Sequence, residues 1–175
     1  MLILTSVMIT IKTRKDLQEV LMEAKAKGIK NPYFVIHGDH QNITVLVSGT
    51  NGVEFNKTHG HFNTYQSVEF YTCLYGQGLI LLQRNDERGE AKEFKVITIQ
   101  QGKQVAIPAG YGHGLVNIGK IFLVVLDNAP NEPKTHDYQT VKAKKGFAYY
   151  VVEKKGEIAF EPNPHYVVHP QINTE

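Results

Sequence analysis

Two histidines and a glutamate carry the most specific chemistry in this chain: His61, Glu69 and His113. The first two lie in the run 58–71, THGHFNTYQSVEFY, and the third in 102–117, GKQVAIPAGYGHGLVN. An extended backbone sends alternate side chains to one face. His59, His61 and Asn63 therefore share a face if the first run is a strand, and Glu69, Tyr71 and Cys73 share one on the next. Two neutral imidazoles and one carboxylate, with coordination positions left over, form the two-His-one-carboxylate set that holds divalent metals. Such donors suit iron, manganese, nickel, zinc or cobalt, and sequence does not choose among them. Asn63 adds a carbonyl oxygen, a weak ligand. His59 alternates with His61 and is the other candidate for completing the set.

The elements that must position these residues are mostly strands. Residues 33–37, 43–48, 54–63, 68–75, 79–84, 93–100, 104–107, 113–118 and 121–126 are short β-rich runs separated by glycine, asparagine and aspartate turns. Runs 147–153 and 157–160 read as a final hairpin, and 128–138 as a Pro-rich connection over the mouth of a barrel. One early helix is expected. Thr13 with Asp16 resembles a capping box, Leu17, Val20, Leu21 and Ala24 form an apolar stripe, and Gly28 supplies a stop. Residues 1–12 read as an edge strand. Many short strands with one helix indicate an all-β sandwich or barrel. A length of 175 residues suits a single domain, with its core over 31–160 and an irregular tail over 161–175.

Composition excludes little but narrows the partners. A net charge of +2, with both signs interspersed, gives no argument for nucleic acid. The apolar opening is shorter than the ~18 residues of a membrane span and lacks a positive leader. The single cysteine, Cys73, reads as a small core residue and fits a reducing, cytoplasmic setting. Lys142, Lys144 and Lys145 read as a solvated basic turn, and His37, His40, His165 and His169 as surface or loop residues.

The two runs resemble the conserved boxes of the cupin superfamily. G-x5-P-x-G-x2-H-x3-N fits without a gap at Gly102, Pro108, Gly110, His113 and Asn117, and Glu69 to Gly76 supplies an E-x6-G ending. Within the cupins, TxGHF, ExYxxLxGxGLxLLQ, IPAGYGHxxVN and HDYxTV followed by GF resemble the cupin-type phosphoglucose isomerases, found mainly in archaea. The resemblance covers roughly 51–160. It implies an all-β cupin jelly-roll barrel holding a divalent metal, a homodimer, and interconversion of glucose 6-phosphate and fructose 6-phosphate. It also implies that Thr58 and Gly60 hold the sugar phosphate and that His136 and Tyr138 contact the sugar. Thr50 offers a further hydroxyl near the mouth, and Tyr71 bonds a substrate oxygen or orients Glu69. Glu69 serves as ligand or as base, so proton transfer and hydride shift both stay open.

Two departures bear on this reading. Asn63 stands where the isomerase pattern has the second histidine of HxH. Gly112 and Gly114 flank His113 where the isomerases usually carry a bulky aromatic and an arginine, which implies a wider pocket with one cation fewer. An iron-dependent dioxygenase and a non-catalytic sugar-binding module are the alternatives.

Overall fold

Short β-branched and aromatic runs fold into three β-sheets in the computed structural model, which describes residues 8–38, 41–130 and 134–175. The first sheet has the order β1 (Met8–Lys12), β2 (Tyr33–His37), β3 (Asn42–Leu46), β12 (Leu123–Asp127), β7 (Glu69–Tyr75), β10 (Gln104–Ile107). The second runs β13 (His136–Asp137), β6 (His61–Asn63), β11 (Gly112–Val116), β8 (Gln77–Asn85), β9 (Ala91–Gln100), β16 (Ile172–Thr174). A smaller sheet joins β15 (Glu157–Pro162), β14 (Tyr149–Lys154), β5 (Glu54–Phe55) and β4 (Thr50–Asn51). Strands far apart in sequence lie side by side, β3 with β12 and β6 with β11, as a jelly roll requires.

The core fills the space between the two larger sheets. Phe94, Ile80, Leu82, Ile99, Ile107 and Leu123 are fully buried within one cluster. Each such side chain contributes about 1.5–3 kcal/mol by leaving water. β8 is buried on both faces from Gly78 to Gln83, which explains its unbroken apolar run. Cys73 is a buried core residue, as expected.

β1 lies at a sheet edge, also as expected, although the part of that expectation on residues 1–7 lies outside the described residues. The early helix is much shorter than its stripe suggests. α1 (Arg14–Leu17) passes into a single 3-10 turn, Gln18–Val20, and Leu21 is extended at φ −82°, ψ 142°. The cause is tertiary. The Met22 N–H donates to the buried Glu54 carboxylate at 2.8 Å, and Lys57 Nζ donates to the Val20 carbonyl at 2.5 Å. A continuing helix would need both backbone groups. Leu17, Val20 and Leu21 are still buried, whereas Ala24 is exposed. The capping box is present, with the Asp16 carboxylate accepting from the Thr13 N–H at 2.7 Å and its hydroxyl at 2.6 Å.

Three other expectations are corrected. The run 54–63 is not one strand, because Gly60 takes φ +77° and separates β5 from β6. A second helix, α2 (Gln139–Ala143), follows the HDY segment; the Asp137 carboxylate accepts from the N–H groups of Gln139 and Thr140 and from the Thr140 hydroxyl. The basic turn is therefore partly helical, and Lys142 and Lys144 pair with Glu19 and Glu90. The tail is not wholly irregular either: β16 pairs in parallel with β9.

Candidate metal centre and its cavity

Register alone brings the histidines together. β6 and β11 are antiparallel with His61 directly opposite His113, and side chains so paired share a face at close range. Their ring centroids are 4.4 Å apart. β13 adds to the other edge of β6 with His136 opposite Asn63, which sets the His136 ring 4.3 Å from that of His61. Glu69 opens β7 on the facing sheet and reaches across to place Oε2 3.3 Å from His113 Nε2. One ligand atom from each of His61, Glu69 and His113 lies within 4.8 Å of the others.

Burial tunes these groups toward metal binding. Desolvation holds the His113 imidazole down at about 4 and the His61 imidazole well below its usual range, the latter helped by the neighbouring His113 and His136. Both rings are therefore neutral near pH 7, the state that ligates. Both Nε2 atoms are buried without a hydrogen-bond partner, and buried polar atoms are otherwise paired in folded proteins. Burial also raises the Glu69 carboxyl, offset by hydrogen bonds from Asn63, Tyr65 and Tyr71. Two unpartnered nitrogens and a carboxylate facing one point fit a divalent cation.

These three residues open into a cavity of about 200 Å³ between the two larger sheets. Thr58, Gly60, Tyr71, His136 and Tyr138 line it, as the sequence expects. The Thr58 hydroxyl accepts from the Leu115 N–H at 2.9 Å and keeps its own proton to donate. Tyr71 lies edge-on to His113 with centroids 5.3 Å apart. His136 is held neutral, at about 4, by burial, and its Nδ1 is 3.2 Å from the Thr135 hydroxyl. The Tyr138 ring lies 5.4 Å from that of His61.

Other candidates lie elsewhere. Thr50 does not line the cavity; it sits on β4, in the smallest sheet, paired with Phe55. His59 is turned away because Gly60 breaks the alternation that would have aligned it with His61. Its Nδ1 is 2.9 Å from the Gly60 carbonyl and its ring packs edge-on against Tyr138. Asn63 is close to the three residues, but its amide Nδ2 donates to Glu69 Oε2 at 2.7 Å, and Tyr65 OH adds a second bond at 3.2 Å. In this arrangement Asn63 orients the Glu69 carboxylate, while its own carbonyl oxygen is buried without a partner among the described residues.

Gly112 and Gly114 are not among the residues that line the cavity. A Cβ at Gly112 would lie 2.5 Å from the Phe62 ring, and one at Gly114 would lie 3.2 Å from Phe147. Both glycines share the strand face opposite to that of His113. Phe62 and Phe147 occupy the space that side chains there would need.

The cavity also contains residues that motif reading missed: Lys12, Tyr33, His37, Asn42, Thr44 and Asp127. His37 was expected at the surface, yet it lines the cavity with Nε2 2.9 Å from Thr10 Oγ1. His40 lies outside the described residues. The available signal was polar side chains at alternate strand positions, Tyr33 and His37, Asn42 and Thr44, Thr10 and Lys12, where a core face should be apolar. Among the described residues, Lys12 is the one lysine or arginine lining the cavity. Asp127 is 7% exposed, and burial pushes its carboxyl up to about 6.

Known proteins share this arrangement of sequence. A family model for glucose-6-phosphate isomerase matches residues 16–169. The chain is 38% identical over 124 residues to a glucose-6-phosphate isomerase of Pyrococcus furiosus, covering 70% of this chain and 62% of that one. It is 36% identical over the same length to the glucose-6-phosphate isomerase of Thermococcus litoralis, with the same shares covered. The chain thus spans under two thirds of the length of the curated relatives it matches.

Proposed function

The chain belongs to the glucose-6-phosphate isomerase family, and from that premise we propose that it interconverts glucose 6-phosphate and fructose 6-phosphate at a divalent metal held by His61, Glu69 and His113. The observation that carries this reading is the convergence of two buried, unpartnered imidazole nitrogens and one carboxylate within 4.8 Å. His61, Glu69 and His113 would hold the divalent metal, which would supply Lewis-acid polarisation to the substrate. Asn63 and Tyr65 hold the Glu69 carboxylate in place. Thr58, the backbone at Gly60 and the Lys12 ammonium receive the phosphate. His136 and Tyr138 lie on the strand and loop that close over His61, and they grip the sugar. With Glu69 assigned to the metal, the neutral His136 ring is the group that accepts and returns the proton moved between C1 and C2; a direct hydride shift is the competing route. Tyr71 donates to a substrate oxygen.

We further propose a cytoplasmic homodimer joined along β1. Met8, Ile9 and Ile11 expose more than half of their surface on this edge strand. No helix among the described residues is long and apolar enough to cross a membrane.

The test is an isomerase assay coupled to product oxidation, run on protein stripped of metal and then supplied with manganese, iron, nickel, zinc or cobalt. Turnover that is lost on stripping and restored by metal supports the proposal. No turnover with any of these ions contradicts it. Solvent deuterium at C1 or C2 of the product supports proton transfer through His136, and its absence supports the hydride route.

A further inference from the structure

Asp127 is a second buried carboxylate facing the cavity, on a strand that no recognition motif covers. It closes β12, opposite Tyr71 on β7 on one side and opposite Asn42 on β3 on the other. Glu69 is two residues along β7 from Tyr71, so Asp127 is its diagonal cross-strand neighbour, at a typical Cα separation of roughly 7–8 Å. Its Oδ1 accepts from Asn42 Nδ2 at 2.9 Å and from the Ala129 N–H at 3.0 Å. Its Oδ2 accepts no hydrogen bond among the described residues, although the side chain lines the cavity and is only 7% exposed.

Packing does not require a carboxylate here. Both observed donors are neutral, and an asparagine oxygen would accept from each of them. A buried carboxylate whose hydrogen-bond donors are all neutral costs more than an amide, and His37 is the one group whose charge would favour it among the causes acting on Asp127. The charge is retained where a shape-matched amide would be cheaper, and the side chain lines the same cavity as His61, Glu69 and His113. A fixed carboxylate with one free oxygen accepts from a hydroxyl, and such a charge-assisted bond is stronger than a neutral one.

Resting on the sugar-phosphate reading above, we propose that Asp127, oriented by Asn42 and the Ala129 N–H, is a specificity determinant that accepts a hydrogen bond from the C3 or C4 hydroxyl of the sugar. A substrate that lacks this hydroxyl leaves the carboxylate desolvated and unpaired. Discrimination therefore comes as much from that penalty as from the bond itself.

The experiment is calorimetric binding of glucitol 6-phosphate, which has no carbonyl and does not turn over, and of its 3-deoxy and 4-deoxy analogues. The full chain is compared with Asp127→Asn and Asp127→Ala, each checked for folding by thermal unfolding. One deoxy analogue is expected to bind the wild-type chain roughly 10- to 100-fold more weakly than glucitol 6-phosphate. That gap should narrow in Asp127→Asn and close in Asp127→Ala. Equal binding of all three ligands by the wild-type chain, or an undiminished gap in the folded variants, overturns the role of Asp127 alone. Failure of glucitol 6-phosphate itself to bind overturns the sugar-phosphate reading as well.

Discussion

Glu54 and Glu69 are equally buried, at 1% and 2% exposure, and they are held in opposite ways. Glu54 is paired: Lys57 Nζ lies 2.5 Å from Oε1, and the Met22 N–H donates to Oε2 at 2.8 Å. The same ammonium also caps the Val20 carbonyl and packs over the Tyr150 ring. The Glu54 charge and the Val20 carbonyl thus both meet the Lys57 cation within the fold. Among the described residues Glu69 meets only neutral donors, Asn63, Tyr65 and Tyr71, and it faces two imidazoles with unpartnered nitrogens. A buried acid with its own cation serves the fold, whereas one that waits for a cation serves a ligand. A metal at Glu69 would supply what Lys57 supplies at Glu54.

The largest effect that separates the two regions is on stability. Lys57→Met leaves the Glu54 charge uncompensated, and chemical denaturation should show a loss of roughly 3–5 kcal/mol. Metal affinity of the folded variant should stay within about threefold of wild type. A variant that folds normally but loses its metal would break the comparison.

A second contrast sets Asp127 against Glu54. Burial raises the folded-state carboxyl of Asp127 to about 6 from an ordinary 3.8. The folded protein therefore holds a proton that the unfolded chain releases between those values. This favourable contribution is complete below about pH 3.8 and is lost as pH rises through 6. Two units correspond to roughly 3 kcal/mol at most. In metal-free protein, Asp127→Asn should thus raise the unfolding free energy by about 1–3 kcal/mol above pH 6 and leave it unchanged at pH 4 or below. Urea titrations at pH 4 and pH 7.5 measure the difference. A loss of stability at the higher pH would show that the charge serves the fold after all.

The smallest effect concerns Asn63. Asn63→Ala removes the amide that fixes Glu69, and metal affinity should fall about tenfold, at the lower end of the range for residues that orient metal ligands. The unfolding midpoint of the metal-free chain should barely move. An unchanged affinity would mean that Glu69 is held by its strand and Tyr65 alone.

Much of this architecture is written in local pattern. The strands Tyr33–His37 and Gln104–Ile107 appear with the bounds their alternation predicts, because each is a short amphipathic run between turns. The convergence of His61, Glu69 and His113 was readable from motif spacing, since β6 and β11 pair directly and β7 lies in the facing sheet. What stayed hidden depends on contacts distant in sequence. The stripe Leu17, Val20, Leu21 suggests a helix, but Glu54 and Lys57 claim the backbone groups that would continue it. His59 looks equivalent to His61 until the left-handed Gly60 intervenes. Gly112 and Gly114 look like lost side chains until Phe62 and Phe147 are seen against them. Asp127 closes an ordinary apolar strand, and only the pairing of β12 with β3 and β7 turns it toward the cavity.

The most direct test of the metal centre is calorimetric titration of a divalent ion such as manganese into the stripped full chain and into His113→Ala. The expected result is one ion bound per wild-type chain, with affinity at least 100-fold weaker in the variant and folding intact by thermal unfolding. Absence of binding to the wild-type chain by every ion tried, or equal binding by a folded His113→Ala, would contradict a metal held by His61, Glu69 and His113.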